Sequence, residues 1–342
     1  MHIIRPVHGA DLPQVQALAK QSLLGIASLT DDQAALEEKI RRSQAAFASP
    51  QEAGDEAGYF FVLEDLGSAR LLGCSALTAR VGGREPFYSL RNEAFVHACA
   101  TLQVRNRVQV LSLCQDLAGS SALGSFHVRD ELVGGPLAEL CSRARLLFVA
   151  AHASLFATTL VAELVGYSDA TGGSPFWDAV GRHFFAMDYA QAERLCGQGN
   201  RTFLAELLPR YPLYVPLLSE SAQAALGRAH PQAQATLDLL RREGFESGRY
   251  VDIFDGGPTL RAQTSGLRSI ARSRLTTVRL GPEATGGRAY LLSNQGFEEF
   301  RATVIELDWQ EGTPLTLAPA TAAALLLAEG DTVRLIAVEE AA

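Results

Sequence analysis

Residues 107–151 read RVQVLSLCQDLAGSSALGSFHVRDELVGGPLAELCSRARLLFVAA. Val108 to Leu113 nearly alternates apolar and polar residues, as a half-buried strand does. Gly119, Ser120 and Ser121 break the pattern, and Leu123 to Val128 is a second strand. A loop holding Gly134 and Gly135 then meets Pro136, a residue suited to the first turn of a helix. A long apolar helix follows, to Ala151. In this order, the unpaired N–H groups and positive dipole end of a helix stand behind a sheet. That is a ready site for an anion such as a pyrophosphate. The stretch predicts a mixed α/β chain with an anion-holding loop.

Working outward, Ile3 to Arg5 is a short strand, and Asp11 precedes Pro13 as a helix cap. Thr30, Asp31 and Asp32 open a second helix, with Leu36, Ile40 and Phe47 on one side. Tyr59 to Glu64 and Arg70 to Leu77 form a hairpin. The apolar stretch 146–165 contains His152, Ser154, Thr158, Thr159 and Glu163. It reads as a helix end followed by a buried strand at Thr159 to Leu164, and not as a membrane span. Residues 190–245 are mainly helical, closing at Gly244. Arg249 to Phe254 is a strand that stops at Asp255, Gly256, Gly257 and Pro258. From about residue 272 short strands dominate, suggesting a small β-barrel.

Composition narrows the class. With 47% hydrophobic and 20% charged residues the chain is globular. A net charge of −8 disfavours nucleic acid or an anionic membrane as partner. Five cysteines at unrelated spacings read as buried free thiols in a reducing cytoplasm. No Cys/His spacing suits a metal. Lys20 and Lys39 are the only lysines.

The order of elements resembles the GNAT-type N-acyltransferase fold, whose glycine loop holds the phosphates of an acyl-CoA. Ile4-Arg-Pro6 with Asp11, and Ser174-Pro-Phe-Trp177 with Phe184 and Phe185, look like its first strand-helix step and its late helix. Arg241 to Phe245 with Tyr250 looks like a second, partial copy of the fold. Over nearly the whole chain the sequence also resembles the arginine N-succinyltransferase family. The residues carrying this are Phe61-Val-Leu-Glu-Asp65, His97, Ser174-Pro-Phe-Trp177, Arg182, Asp188, Glu206, His230-Pro-Gln232 and Asp252-Ile-Phe-Asp-Gly-Gly-Pro-Thr259. It looks most like the α subunit of the two-subunit form, which pairs with a homologous β subunit. The resemblance implies succinyl transfer from succinyl-CoA to the α-amino group of arginine or ornithine.

The same resemblance assigns candidate roles. His230 matches the family's catalytic histidine. Read alone, it stands before Pro231 at a helix start, where the dipole keeps its ring neutral for proton transfer. A capping residue is the competing reading. Phe126 matches a position that binds succinyl-CoA through its backbone, and Val128 lies on the same strand. Gly134 and Gly135 remain suited to close anion approach. The loop 133–138 departs from the usual pattern at Val133 and Pro136, and Pro136 removes an N–H donor. Val165 stands where the family usually has arginine. Arg91 is a candidate for the succinyl carboxylate. Asp188, Glu206, Asp252 and Asp255 are candidates for the guanidinium. His97 sits in an apolar stretch and reads as a core histidine. The expected units are a GNAT-like acyl-CoA domain over 1–190, a second GNAT-like segment over 191–265 and the β-rich tail over 266–342. An inert supporting subunit and a transferase of other substrates are the alternatives.

Overall fold

The computed structural model describes residues 1–338 except 27, 170, 198–205 and 283–285. Its strands are β1 (His2–Pro6), β2 (Gly58–Asp65), β3 (Arg70–Thr78), β4 (Ser89–Cys99), β5 (Val104–Cys114), β6 (Ser121–Val128), β7 (Thr159–Glu163), β8 (Leu213–Tyr214), β9 (Glu246–Val251) and β10 (Pro258–Gln263). The tail adds β11 (Arg274–Leu280), β12 (Arg288–Ser293), β13 (Ala302–Leu307), β14 (Leu315–Leu317) and β15 (Thr332–Ala337). The longer helices are α1 (Leu12–Gln21), α2 (Gln33–Ala48), α3 (Pro136–Ala151), α4 (Tyr189–Gly197) and α5 (Gln234–Glu243).

All the strands join in one sheet, ordered β14-β11-β15-β12-β13-β1-β2-β3-β6-β7-β10-β9-β4-β5-β8. α1 and α2 cover one face, burying Val15, Leu18, Leu36 and Ile40 against Phe60, Val62 and Cys74. Asp32 caps α2 by accepting from the Ala35 N–H at 2.9 Å. Asp11 precedes α1 as expected, but its carboxylate goes to Arg5 at 2.7 Å and to the His8 N–H. An ion pair to a neighbouring strand takes the place of a helix cap.

α3 lies on the other face and is buried nearly all round, as an apolar helix between two layers must be. Phe148 from α3 packs on Phe61 of β2 at 5.3 Å and on Phe300 at 5.2 Å. Buried Arg143 ties α3 to Glu243 at the end of α5, at 2.8 Å. Gly244 then ends α5 at φ +107°, the left-handed stop its sequence predicts.

Two expectations need correction. The tail strands are not closed as a barrel among the described residues: β13 instead continues the sheet through Ile4 and Ala302. His97 is not a core residue. It is exposed on β4, which with β5 forms an arm whose outer residues, 94–99 and 104–107, are open to solvent. Cys99 is likewise exposed, although Cys74, Cys141 and Cys196 are buried thiols.

Candidate active site

The two central parallel strands part company. β6 and β7 pair at Ser121–Leu160, Ala122–Val161 and Leu123–Ala162, where the pairing stops. On its other side β6 slips register against β3 between Cys74 and Ala76, so Ser125 and Phe126 together oppose Ser75. Such a bulge bends the strand and increases its twist. Ser125 sits in the bulge at φ +50°.

A cavity of about 770 Å³ opens between the diverging strands, within the usual size of small-molecule sites. Gly124 to Val128 line one side, and Ala162 to Val165 the other. Phe126 and Val128 are therefore where a backbone-bound ligand would need them. Gly134 and Gly135 also line the cavity. Gly134 has φ +76°, a conformation glycine takes without strain. Gly135 is the N-cap of α3, and the first helical bond runs from the Glu139 N–H to its carbonyl at 3.1 Å. The Leu137 and Ala138 N–H groups precede that bond, and Pro136 supplies none.

The same cavity is also lined by acids: Asp130, Glu139 in the first turn of α3, and Glu163, Glu193, Asp252 and Asp255. Asp252 folds the turn after β9, accepting from the Phe254 and Asp255 N–H groups at 2.7 and 3.1 Å. Asp255 is buried and accepts from the N–H groups of Gly166 at 2.6 Å and Gly257 at 2.7 Å, and from the Tyr189 hydroxyl at 3.2 Å. Burial and the nearby Asp252 push its carboxyl up to about 8. The Tyr189 hydroxyl is driven upward too, by burial and then by the charges of Asp255, Glu193 and Asp252. Gly166 must be glycine here, since a Cβ would meet the Asp255 carboxylate at 2.5 Å.

His230 stands at the rim. Its N–H donates to the Val165 carbonyl at 2.8 Å, and Gly166 bridges to Ala229. Val165, Gln232 and Ala233 line the cavity, whereas His230 itself lies just outside its lining. The Gln232 N–H donates to His230 Nδ1 at 3.2 Å. In the neutral ring the proton then resides on Nε2. Burial lowers the ring's pKa, which keeps it neutral. His230 caps a short turn, Pro231–Ala233, that leads into α5, so the capping geometry is real.

Of the remaining sequence candidates, three lie elsewhere. Arg91 is held by Asp116 at 2.7 Å and Glu93 at 2.9 Å on β4, away from the cavity. Asp188 is exposed and caps α4 through the Gln191 N–H at 2.7 Å. Glu206 is exposed and outside the lining. The sequence reading passed over Glu163 and Glu193. Glu193 carried a signal: it lies on the buried stripe of α4 with Tyr189, Ala192 and Cys196, an unusual place for an acid. Among the described residues no group of three or more His, Cys, Asp or Glu could hold a metal.

A sheet parted beside a bulged strand, with a glycine-led helix start at the opening, fits the GNAT-like N-acyltransferase fold expected from the sequence. Comparison with known proteins narrows the class. Residues 2–269 match the family described as arginine N-succinyltransferase beta subunit, and residues 274–337 match its C-terminal domain. The chain belongs to the arginine N-succinyltransferase family, whose members are acyltransferases. It is 54% identical to arginine N-succinyltransferase subunit alpha of Pseudomonas aeruginosa, over 99% of this chain and 100% of that one. It is 40% identical to subunit beta of the same organism, over 98% and 97%. The solved arginine/ornithine succinyltransferase subunit AI from Pseudomonas aeruginosa superposes with TM-score 0.93 at 51% identity, covering 99% of both chains.

Proposed function

We propose that this chain transfers succinyl from succinyl-CoA to the α-amino group of arginine, and of ornithine, in arginine catabolism. The observation that carries this reading is one cavity meeting both a helix start open to an anion and the acids Glu163, Glu193 and Asp252. The first suits the phosphates of the co-substrate. The second suits a cationic amino acid, with Asp252, Glu163 and Glu193 facing its guanidinium or ammonium group. Asp255 serves mainly to fix that side of the cavity, because both its oxygens are taken by backbone donors.

The freed backbone edge at Phe126 and Val128 receives the pantetheine amides and polarises the thioester carbonyl. The amine attacks that carbonyl, and the C–S bond breaks. His230, with its proton on Nε2, protonates the departing thiolate and recovers a proton from the ammonium formed on attack. A thiol-release assay tests the reading: succinyl-CoA with arginine releases CoA, and acetyl-CoA does so far more slowly. No release from the purified complex with succinyl-CoA and arginine would overturn it.

Two relatives are named as subunits alpha and beta of arginine N-succinyltransferase, which supports a multi-subunit enzyme. The partner in this reading is a homologous β subunit, in the cytoplasm. The solvent-open β4–β5 arm, with Phe95 and Val96 exposed, supports an assembly. Pro136 at the helix start favours a second reading, a supporting subunit that leaves chemistry to its partner. Assaying the complex with His230→Ala in this chain alone separates the two.

A further inference from the structure

Ser125 is the one residue of β6 in a left-handed conformation, at φ +50°, and it is buried. A serine held there is strained by about 1 kcal/mol or more, and persists only where its surroundings over-determine it. Those surroundings are specific. The Ser125 N–H donates to Ser28 Oγ at 2.8 Å, and Ser125 Oγ donates to the Ser28 carbonyl at 2.7 Å. The Lys39 ammonium, from α2, reaches both the Ser28 carbonyl and Ser125 Oγ.

Arg145 supports the bulge from the opposite face. Its guanidinium is buried, pairs with no carboxylate among the described residues, and donates to the carbonyls of Ala76 and Gly124 at 3.3 Å each. These two residues face each other where the register slips. The parting of β6 from β7 begins one residue before Gly124.

We propose that Lys39 and Ser28, acting through Ser125, are positioning residues that hold β6 away from β7, so that its free edge accepts the thioester end of the acyl-CoA. The inference rests on the acyl-CoA reading above. Lys39 lies outside the cavity lining, whereas Ser28 and Ser125 are part of it. Loss of a charged hydrogen bond in this clamp should weaken acyl-CoA recognition by about tenfold.

The test uses the purified complex and steady-state kinetics with both substrates. Lys39→Met and Ser28→Ala should raise KM for succinyl-CoA about tenfold while KM for arginine stays within about twofold. Lys39→Arg should restore most of the loss. Ser125→Gly and Ser125→Val both delete the hydroxyl, but only glycine adopts the left-handed conformation freely. The valine variant should therefore be much the worse in KM for succinyl-CoA. Adding Ser125→Gly to Lys39→Met should cost less than the two changes taken separately. Equal effects of glycine and valine at 125, or equal changes in both KM values for Lys39→Met, would overturn the clamp. A lowered Tm with unchanged KM would do so as well. An inactive wild-type complex would instead overturn the acyl-CoA reading itself.

Discussion

Asp255 shows how a single carboxyl can be fixed by its neighbours and still respond to pH. Its ordinary value is 3.8, and burial beside Asp252 pushes it up to about 8. Between those values the folded chain keeps the proton and the unfolded chain has lost it. The unfolded state then binds fewer protons, so stability falls as pH rises from about 4 to about 8. Thermal unfolding across this range should show a declining Tm, and Asp255→Asn, which cannot ionise, should flatten the decline. A parallel slope in the variant would refute the assignment. His230 is half-buried, with its ring tied, among the described residues, only to the Gln232 N–H. His230→Ala should lower kcat/KM on the order of 10²- to 10⁴-fold, while the lost cap costs only about 0.5–2 kcal/mol of stability. Near-normal turnover by the variant complex would remove the ring from the chemistry. Turnover should rise with pH through a ring pKa below the usual histidine value, because burial favours the neutral form. From the resemblance to the family, His230, Asp252 and Asp255 were legible as candidates, alongside Asp188 and Glu206, which the fold places elsewhere. Glu163 and Glu193 were not, since that side of the cavity is assembled from β7, α4 and the turn after β9, far apart along the chain.

At the scale of elements, local chemistry was a good guide wherever an element has one buried side. The β2–β3 hairpin, the capped start of α2 and the stop of α5 all follow from patterns of a few residues. Gly244→Ala should cost about 1 kcal/mol, because alanine pays for the left-handed turn at φ +107°. Urea unfolding would measure this, with KM for both substrates unchanged. A neutral substitution would mean that the turn relaxes. β4 escaped the sequence reading for a physical reason. Period-two patterning exists only where one face is buried, and residues 94–99 are exposed on both faces. The apolar residues on either side of His97 made it look like a core residue, but they too are exposed. The bulge in β6 was also hidden: Gly124 stands beside it, but the conformation of Ser125 is imposed by Ser28 and Lys39 from elsewhere in the chain.

For the whole molecule, the tail has a core of its own, around Val278, Leu315 and Val333, and it also reaches the central one. Leu291, Phe300, Ala302 and Ile336 belong to the same core as Phe61, Phe148 and Leu240. Phe300→Ala should cost about 3–5 kcal/mol in unfolding free energy, because its ring packs on Phe61 and Phe148 of the central core. A chain cut after residue 272 should be insoluble, because it uncovers α3 and one edge of β1. A well-folded, soluble fragment would contradict this. The sequence suggested a separate barrel because strand patterns report which residues face inward and not which strand lies beside which. The pairing of Ile4 with Ala302 also sets a timetable for biosynthesis. The first strand leaves the ribosome nearly 300 residues before its partner. Until then one side of it remains an open template for unwanted strand addition. The nascent chain must therefore wait for its last quarter before its opening residues are enclosed on both sides, and a chaperone acting on this protein would be needed longest at the N-terminal end.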